Sequence, residues 1–345
     1  MYIIGFYGII INIMTKVQFL ILILTLTLSS SIYSKAQSDI EEVKTDNKPN
    51  ILFVPGINDS FYTTMERGLR TAAEKYNVNI TISEYPQVWS DEEQIAILKK
   101  TLSLNKYDLL IISPTFTESI ISSLREIHNN GIEIMTLDTF IGDGDYSVPS
   151  EFSFPLTHIG TDNFLGGFNI AEEMALMLDE KGIIYVINTI GDTSSVMARE
   201  SGFRAGMSHY PNIELIVEYC QNNQELAREM TLAALQENPD ISGIFGVNVF
   251  CAQGSYEAVV NVGLTGTIRI ASWDATESLI KAIKDGQIDL VLAQKPVEMA
   301  ELAIEWASKY FYSNVDIPKK VLSGFEFFTA ENVDDPNIQK YIYWE

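Results

Sequence analysis

The residues with most to offer chemically are polar side chains standing where apolar runs end. Asp59, with Phe61 and Tyr62 close behind, follows the short apolar run 51–54 and its break at Pro55-Gly56. Asp138 closes the run 132–137, Asn248 the run 243–248 and Gln294 the run 290–294, while Asp274 follows Trp273. Arg199 lies inside a helical pattern over 195–207. Carboxylates, amides and a guanidinium can all contact a hydroxyl, which both donates and accepts, and the charged partners make the stronger bonds. Aromatic faces such as Phe61 and Tyr62 suit the apolar faces of a ring. The turn over 55–60 has no glycine-rich cradle and no lysine, so it suits a polyhydroxylated ligand better than a phosphate. Each residue alone has a plainer use. Asp138 and Asp274 could be turn residues or caps, Asn248 a satisfied amide, Arg199 half of a surface ion pair, and Phe61 core. Together they occupy equivalent places in two halves of the chain, as a cleft between two lobes requires.

The elements that must position them alternate. Apolar strands are predicted at 51–54, 79–85, 108–113, 132–137 and 157–160, with helices at 61–76, 91–104 and 118–128. After 160–162 the pattern restarts with strands at 183–188, 213–219, 243–248, 268–273 and 290–294. Helices are predicted at 163–178, 195–207, 224–237, 253–262 and 277–285. A helix over 297–311, a crossover after 317–320 and one strand at 323–328 complete the chain. Such alternation means βαβ units and parallel sheets. About ten strands crowd one doubly wound sheet, so two similar halves fit better; an eight-fold barrel is the rival architecture.

Composition narrows the partners. The 345 residues carry 46 acidic and 23 basic side chains, a net charge of −23, and such a field repels a nucleic-acid backbone. Lys16 precedes the apolar run 17–28, followed by small and polar residues to Gln37, which describes a secretory signal segment over 1–36, cut near Ala36, and a polar tether over 37–48. Met14 is an alternative start and a retained membrane anchor the competing reading. The two cysteines, Cys220 and Cys251, could pair in an oxidising compartment, but each ends or follows a different strand, which favours free thiols. No Cys/His spacing suits a metal, and the acidic turn with Asp143, Asp145 and Glu151 lacks the alternating carboxylates of a calcium loop. Gly166-Gly167 lies within a helical pattern and reads as close packing on the sheet. His128, His158 and His209 fall in no nucleophile–base–acid pattern. Trp89 is placed near the presumed cleft mouth, for stacking or surface packing.

The segments NDSFY (58–62), TLD (136–138), HIGTDNFLGG (158–167), ARESGFRAG (198–206), NPDISGIFGVN (238–248), SWD (272–274), KAIKDGQI (281–288) and AQKP (293–296) occur in an order and spacing that resembles the type I periplasmic sugar-binding proteins, the ribose-binding group in particular. The resemblance spans 50–328. It implies an α/β fold of two Rossmann-like parallel-sheet lobes joined by a three-strand hinge, closing on a ligand by hinge motion. The lobes would be 49–161 with 295–323, and 162–294 with 324–345. Ligand contacts are implied at Asp59, Phe61, Tyr62 and Asp138 in the first lobe, and at Arg199, Asn248, Asp274 and Gln294 in the second lobe and hinge. Thr139 stands where ribose binders carry Arg, and Asn222 where they carry an aromatic. Both are expected at the ligand, and both argue for another sugar or a polyol. No catalytic residue, metal or cofactor is expected. The implied role is a monomeric periplasmic or secreted solute-binding protein that delivers its ligand to an ABC-importer permease. A sensor presenting a sugar or furanose-type signal to a membrane receptor kinase is the alternative, and a secreted carbohydrate-active enzyme using Asp138 and Asp274 the more distant one.

Overall fold

The computed structural model describes residues 48–344, so the expected signal segment and all of the tether but Lys48 lie outside the described residues. No helix among them is long and apolar enough to cross a membrane.

The first lobe opens with β1 (Asn50–Val54), α1 (Ser60–Tyr76), β2 (Asn79–Ile82), α2 (Asp91–Leu104), β3 (Leu109–Ile112), α3 (Ile121–Asn129), β4 (Glu133–Leu137) and β5 (Thr157–Thr161). The second contains α4 (Asn163–Met177), β6 (Gly182–Asn188), α5 (Ser194–Met207), β7 (Ile213–Tyr219), α6 (Gln224–Glu237), β8 (Ile241–Gly246), α7 (Val249–Asn261), β9 (Arg269–Trp273), α8 (Glu277–Lys284) and β10 (Leu290–Ala293). The chain then returns through α9 (Pro296–Ser313) and β11 (Lys320–Ser323), crosses again into β12 (Glu326–Phe328), and ends past the short α10 (Pro336–Gln339).

Two six-stranded sheets result, ordered β11-β5-β4-β3-β1-β2 and β12-β10-β9-β8-β6-β7. All pairings are parallel except β12 against β10, where Leu292 opposes Phe327. The chain passes between sheets after β5, after β10 and after β11, giving the three crossings. The barrel is excluded by these open sheets. Central strands such as β3, with sequence LLII, are fully buried because helices cover both faces. On one face of the first sheet, Met65 and Leu69 of α1 pack with Met299, Ala300 and Ala303 of α9; on the other, Leu98 and Leu124 pack with Leu110. In the second lobe the rings of Phe203 and Phe245 stack with centroids 4.6 Å apart.

Gly166-Gly167 does serve packing. A Cβ on Gly167 would lie 2.0 Å from the Arg199 carbonyl oxygen, and one on Gly202 1.9 Å from that of Phe164. Only glycine lets α4 and α5 approach so closely, and this contact sets the height of Arg199. Several expected elements change. The single strand at 323–328 is two strands in different sheets, because Gly324 and Phe325 carry the hinge crossing. The helix expected from 253 starts at Val249, since Asn248 caps it, and α3 starts at Ile121 rather than 118.

Candidate sugar-binding cleft

The carboxyl ends of the two sheets converge on one cavity lined by side chains of both. Of the expected contacts, Asp59, Phe61, Tyr62, Asp138, Arg199, Asn222, Asn248, Asp274 and Gln294 line it. Thr139 does not. It is fully buried beside the cavity, its hydroxyl donating to Asp138 Oδ2 at 3.3 Å, so it orients the carboxylate instead of facing the space. Trp89 lines the mouth.

The two lobes present matched devices. Asp59 caps α1, its Oδ1 accepting from Tyr62 N at 2.9 Å; Asn248 caps α7, its Oδ1 accepting from Cys251 N at 3.0 Å. Asp138 and Asp274 follow β4 and β9 in the left-handed region, with φ of 67° and 74°. Their backbone N–H groups donate to Ile159 O and Leu292 O on the neighbouring strands. This uncommon conformation for a side-chain-bearing residue is held by those neighbours at both strand ends.

Around these carboxylates the bonding is asymmetric. Tyr62 donates its hydroxyl to Asp138 Oδ2 at 2.9 Å, while Asp138 Oδ1 is buried with no partner. Gln294 donates to Asp274 Oδ1 at 2.8 Å and accepts from Thr161 at 2.9 Å. Arg199 is 3% exposed and donates through Nε to Asn163 Oδ1 and through Nη1 to Val247 O, both at 2.9 Å. It lies 3.9 Å from Asp274 Oδ2 and 4.3 Å above the Trp273 ring. Among the described residues it is the only basic side chain lining the cavity, with the three carboxylates of Asp59, Asp138 and Asp274. Burial pushes Asp138 up to about 6 and Asp59 up to about 7, from an ordinary 3.8. Burial also raises Asp274, against the pull of Arg199. In the second lobe Asn248 donates to Asn222 Oδ1 at 2.7 Å.

Some positioning groups carry no signal in the sequence. Gln94, on α2, is fully buried, donates to Pro55 O and Ser113 O, and accepts from Thr115 N, tying the ends of β1 and β3 together. Thr193 and Ser194 bridge the lobes: Thr193 donates to Thr115 O at 2.9 Å, Ser194 Oγ accepts from Phe140 N at 3.0 Å, and Trp89 Nε1 donates to Thr193 at 3.3 Å. Tyr343, in the tail, accepts from Gln294 N at 2.7 Å, and its ring meets Phe61 edge-on at 5.5 Å. Its backbone N–H donates to Ala275 O at 2.8 Å.

A sequence model of the periplasmic binding protein domain matches residues 51–312. The chain belongs to this family. Among its relatives is the ribose import binding protein of Escherichia coli, 22% identical over 258 residues, covering 75% of this chain and 83% of the relative. The D-ribose/D-allose-binding protein of Pseudomonas aeruginosa is 24% identical over 279 residues, covering 77% and 83%. An ABC transporter solute-binding protein from Agrobacterium vitis, solved with α-D-tagatopyranose, is 33% identical with a TM-score of 0.83, covering 86% of this chain and all of that one. The periplasmic binding protein described here is therefore a sugar-binding solute-binding protein of the ABC-importer kind, as its motifs imply. The curated relatives are named as sugar-binding proteins, several of them of import.

Proposed function

We propose that this chain encloses one neutral monosaccharide, a hexose or related polyol, and passes it to the permease of an ABC importer without altering it. The halves that close would be 49–161 with 295–323 and 162–294 with 324–345, working as a monomer outside the cytoplasmic membrane after export through the N-terminal segment. The observation that carries the reading is Asp138 Oδ1, buried at the cavity with no partner. A sugar hydroxyl donating there would satisfy it. Asp59, Asp274, Asn222, Asn248 and Arg199 would take further hydroxyls, with Phe61 and Trp89 against the ring and Gln294 holding Asp274 in place.

Delivery is favoured over sensing by the import function named for the curated relatives. The absence of an arginine beside Asp138, where Thr139 is turned away, and the amide of Asn222 in place of an aromatic both disfavour ribose. The Agrobacterium relative's tagatopyranose supports a six-carbon sugar. Native mass spectrometry of freshly purified protein, followed by calorimetry with D-tagatose, D-fructose, D-allose, D-galactose and D-ribose, tests this. A retained hexose mass and tighter binding of a hexose are expected. Tight binding of D-ribose with none of the hexoses refutes the choice of sugar.

A further inference from the structure

Cys220 and Cys251 are the only cysteines in the chain, and their separate strands argued against pairing. The fold brings them together. Cys220 follows β7, Cys251 lies in the first turn of α7, both are fully buried, and their sulfurs are 3.1 Å apart. The contact sits directly behind two amides of the cavity. Cys251 N donates to Asn248 Oδ1, and Asn248 Nδ2 donates to Asn222 Oδ1, two residues beyond Cys220. The intervening turn is unusual: Gln221 and Asn222 are consecutive left-handed residues, with φ of 54° and 57°. Two such residues in a row persist only where surrounding structure holds them. Backbone bonds supply part of that hold, from Cys220 N to Asn188 O and from Asn223 N to Cys220 O. No cluster of three or more metal-ligating side chains occurs among the described residues, so the thiols are not a fragment of a metal site.

We infer that Cys220 and Cys251 form a disulfide in the exported protein, and that this bond clamps the β7–α6 turn to the start of α7 so that Asn222 and Asn248 face the cavity in fixed positions. The inference rests on the family reading only for the oxidising compartment. The oxidant is a disulfide donor, either oxidised glutathione or a thiol–disulfide oxidoreductase. One protein thiolate attacks the donor disulfide, forming a mixed disulfide and releasing one donor thiol. The second protein thiolate then attacks the sulfur of the first, forming the internal bond and releasing the other donor thiol. The two cysteines lose two protons and two electrons, and the donor disulfide becomes two thiols. Because both sulfurs are buried, the exchange occurs during folding, before the β7–α6 turn and the start of α7 meet.

The test uses the full chain secreted into the periplasm of an exporting host, lysed and denatured in guanidinium with N-ethylmaleimide present. No adduct is expected before reduction, with an intact mass lower by two hydrogens, and one adduct per cysteine after treatment with a phosphine reductant. The same chain retained in the cytosol, labelled in the same way, should carry both adducts from the start. Both adducts on the exported protein without reductant overturn the disulfide. Hydrogen exchange under native conditions tests the clamp: peptides covering 219–224 and 248–252 should exchange at least tenfold faster after reduction, and unchanged rates overturn it. Neither readout needs a sugar, so failure here leaves the proposed ligand untouched, and failure of sugar binding leaves the disulfide standing.

Discussion

Asp138→Asn separates the cost of holding a bare carboxylate in the cleft from its use. Asp138 is 5% exposed, and burial raises its pKa from 3.8 to about 6 even with Arg199 and Tyr62 opposing the rise. The folded protein thus holds this proton more tightly than the unfolded chain. The group's contribution to stability is fully present below pH 3.8 and is lost as pH climbs to about 6. At 1.36 kcal/mol per pH unit the loss amounts to about 3 kcal/mol above pH 7. Asparagine keeps the shape, accepts the Tyr62 hydroxyl, tolerates a φ of 67° and carries no charge. In ligand-free protein the variant should therefore be about 3 kcal/mol more stable than the parent at pH 8, and within about 1 kcal/mol of it at pH 4. Urea denaturation of both proteins at pH 4, 6 and 8, after unfolding and refolding to strip retained sugar, measures this. Binding should move the other way, with affinity for the retained sugar falling roughly ten- to hundredfold as a charge-assisted bond is lost. A gain of equal size at pH 4 and pH 8, or a loss of stability at pH 8, refutes the reasoning.

Three further substitutions probe the remaining contacts. Arg199→Ala removes a cation that lines the cavity with three carboxylates and strips Asn163 Oδ1 and Val247 O of their donor, so denaturation should show a loss of about 3–5 kcal/mol and sugar should no longer change tryptophan fluorescence. Thr193→Val deletes the bond to Thr115 O across the lobes and the one that holds Trp89, leaving the cavity's carboxylates and amides in place; calorimetry should show about five- to tenfold weaker binding with the order of sugars unchanged. Tyr343→Phe leaves Gln294 N without its acceptor in a dry site, at about 1–3 kcal/mol of stability by denaturation, with sugar affinity weakened through the displaced Gln294.

What the sequence discloses is what repeats along it. Apolar runs such as LLII at 109–112 and polar residues at their ends mark the sheets and the cleft, because strand burial and helix capping are local rules. The left-handed φ of Asp138 and Asp274 has no local rule behind it; it is imposed by strands β5 and β10. Tyr343 and Gln294 are 49 positions apart, and the tail has no periodicity to announce its return to the hinge. Gln94 sits in mid-helix like any surface amide, and only the fold shows it buried between two strand ends. Thr139 stands where the family resemblance implies a ligand-facing arginine, but a side chain this short turns back to its neighbour's carboxylate. The closeness of Cys220 and Cys251 is likewise a product of the fold: one follows β7 and the other opens α7, and nothing local in the sequence brings their sulfurs within 3.1 Å.

The distribution of charge across the cleft ties closure to the sugar. On the proposed assignment, the first lobe contributes Asp59 and Asp138 with no cation of its own, while the second contributes Arg199 beside Asp274 and the amides of Asn222 and Asn248. The lobes meet through Thr193 and Ser194, a few bonds of about 1 kcal/mol each. Closing an empty cleft would bury the first lobe's carboxylates with one oxygen of Asp138 unpaired, and that penalty is as large as the gain from these bonds. On that assignment a bound sugar would reverse the balance by donating hydroxyls to the same oxygens. The ligand would then make bonds in the closed form that the open form lacks, and such a difference is what shifts a two-state equilibrium. Neutralising Asp138 should therefore remove part of the penalty on empty closure as well as a sugar contact, leaving a protein that closes more readily and binds less tightly.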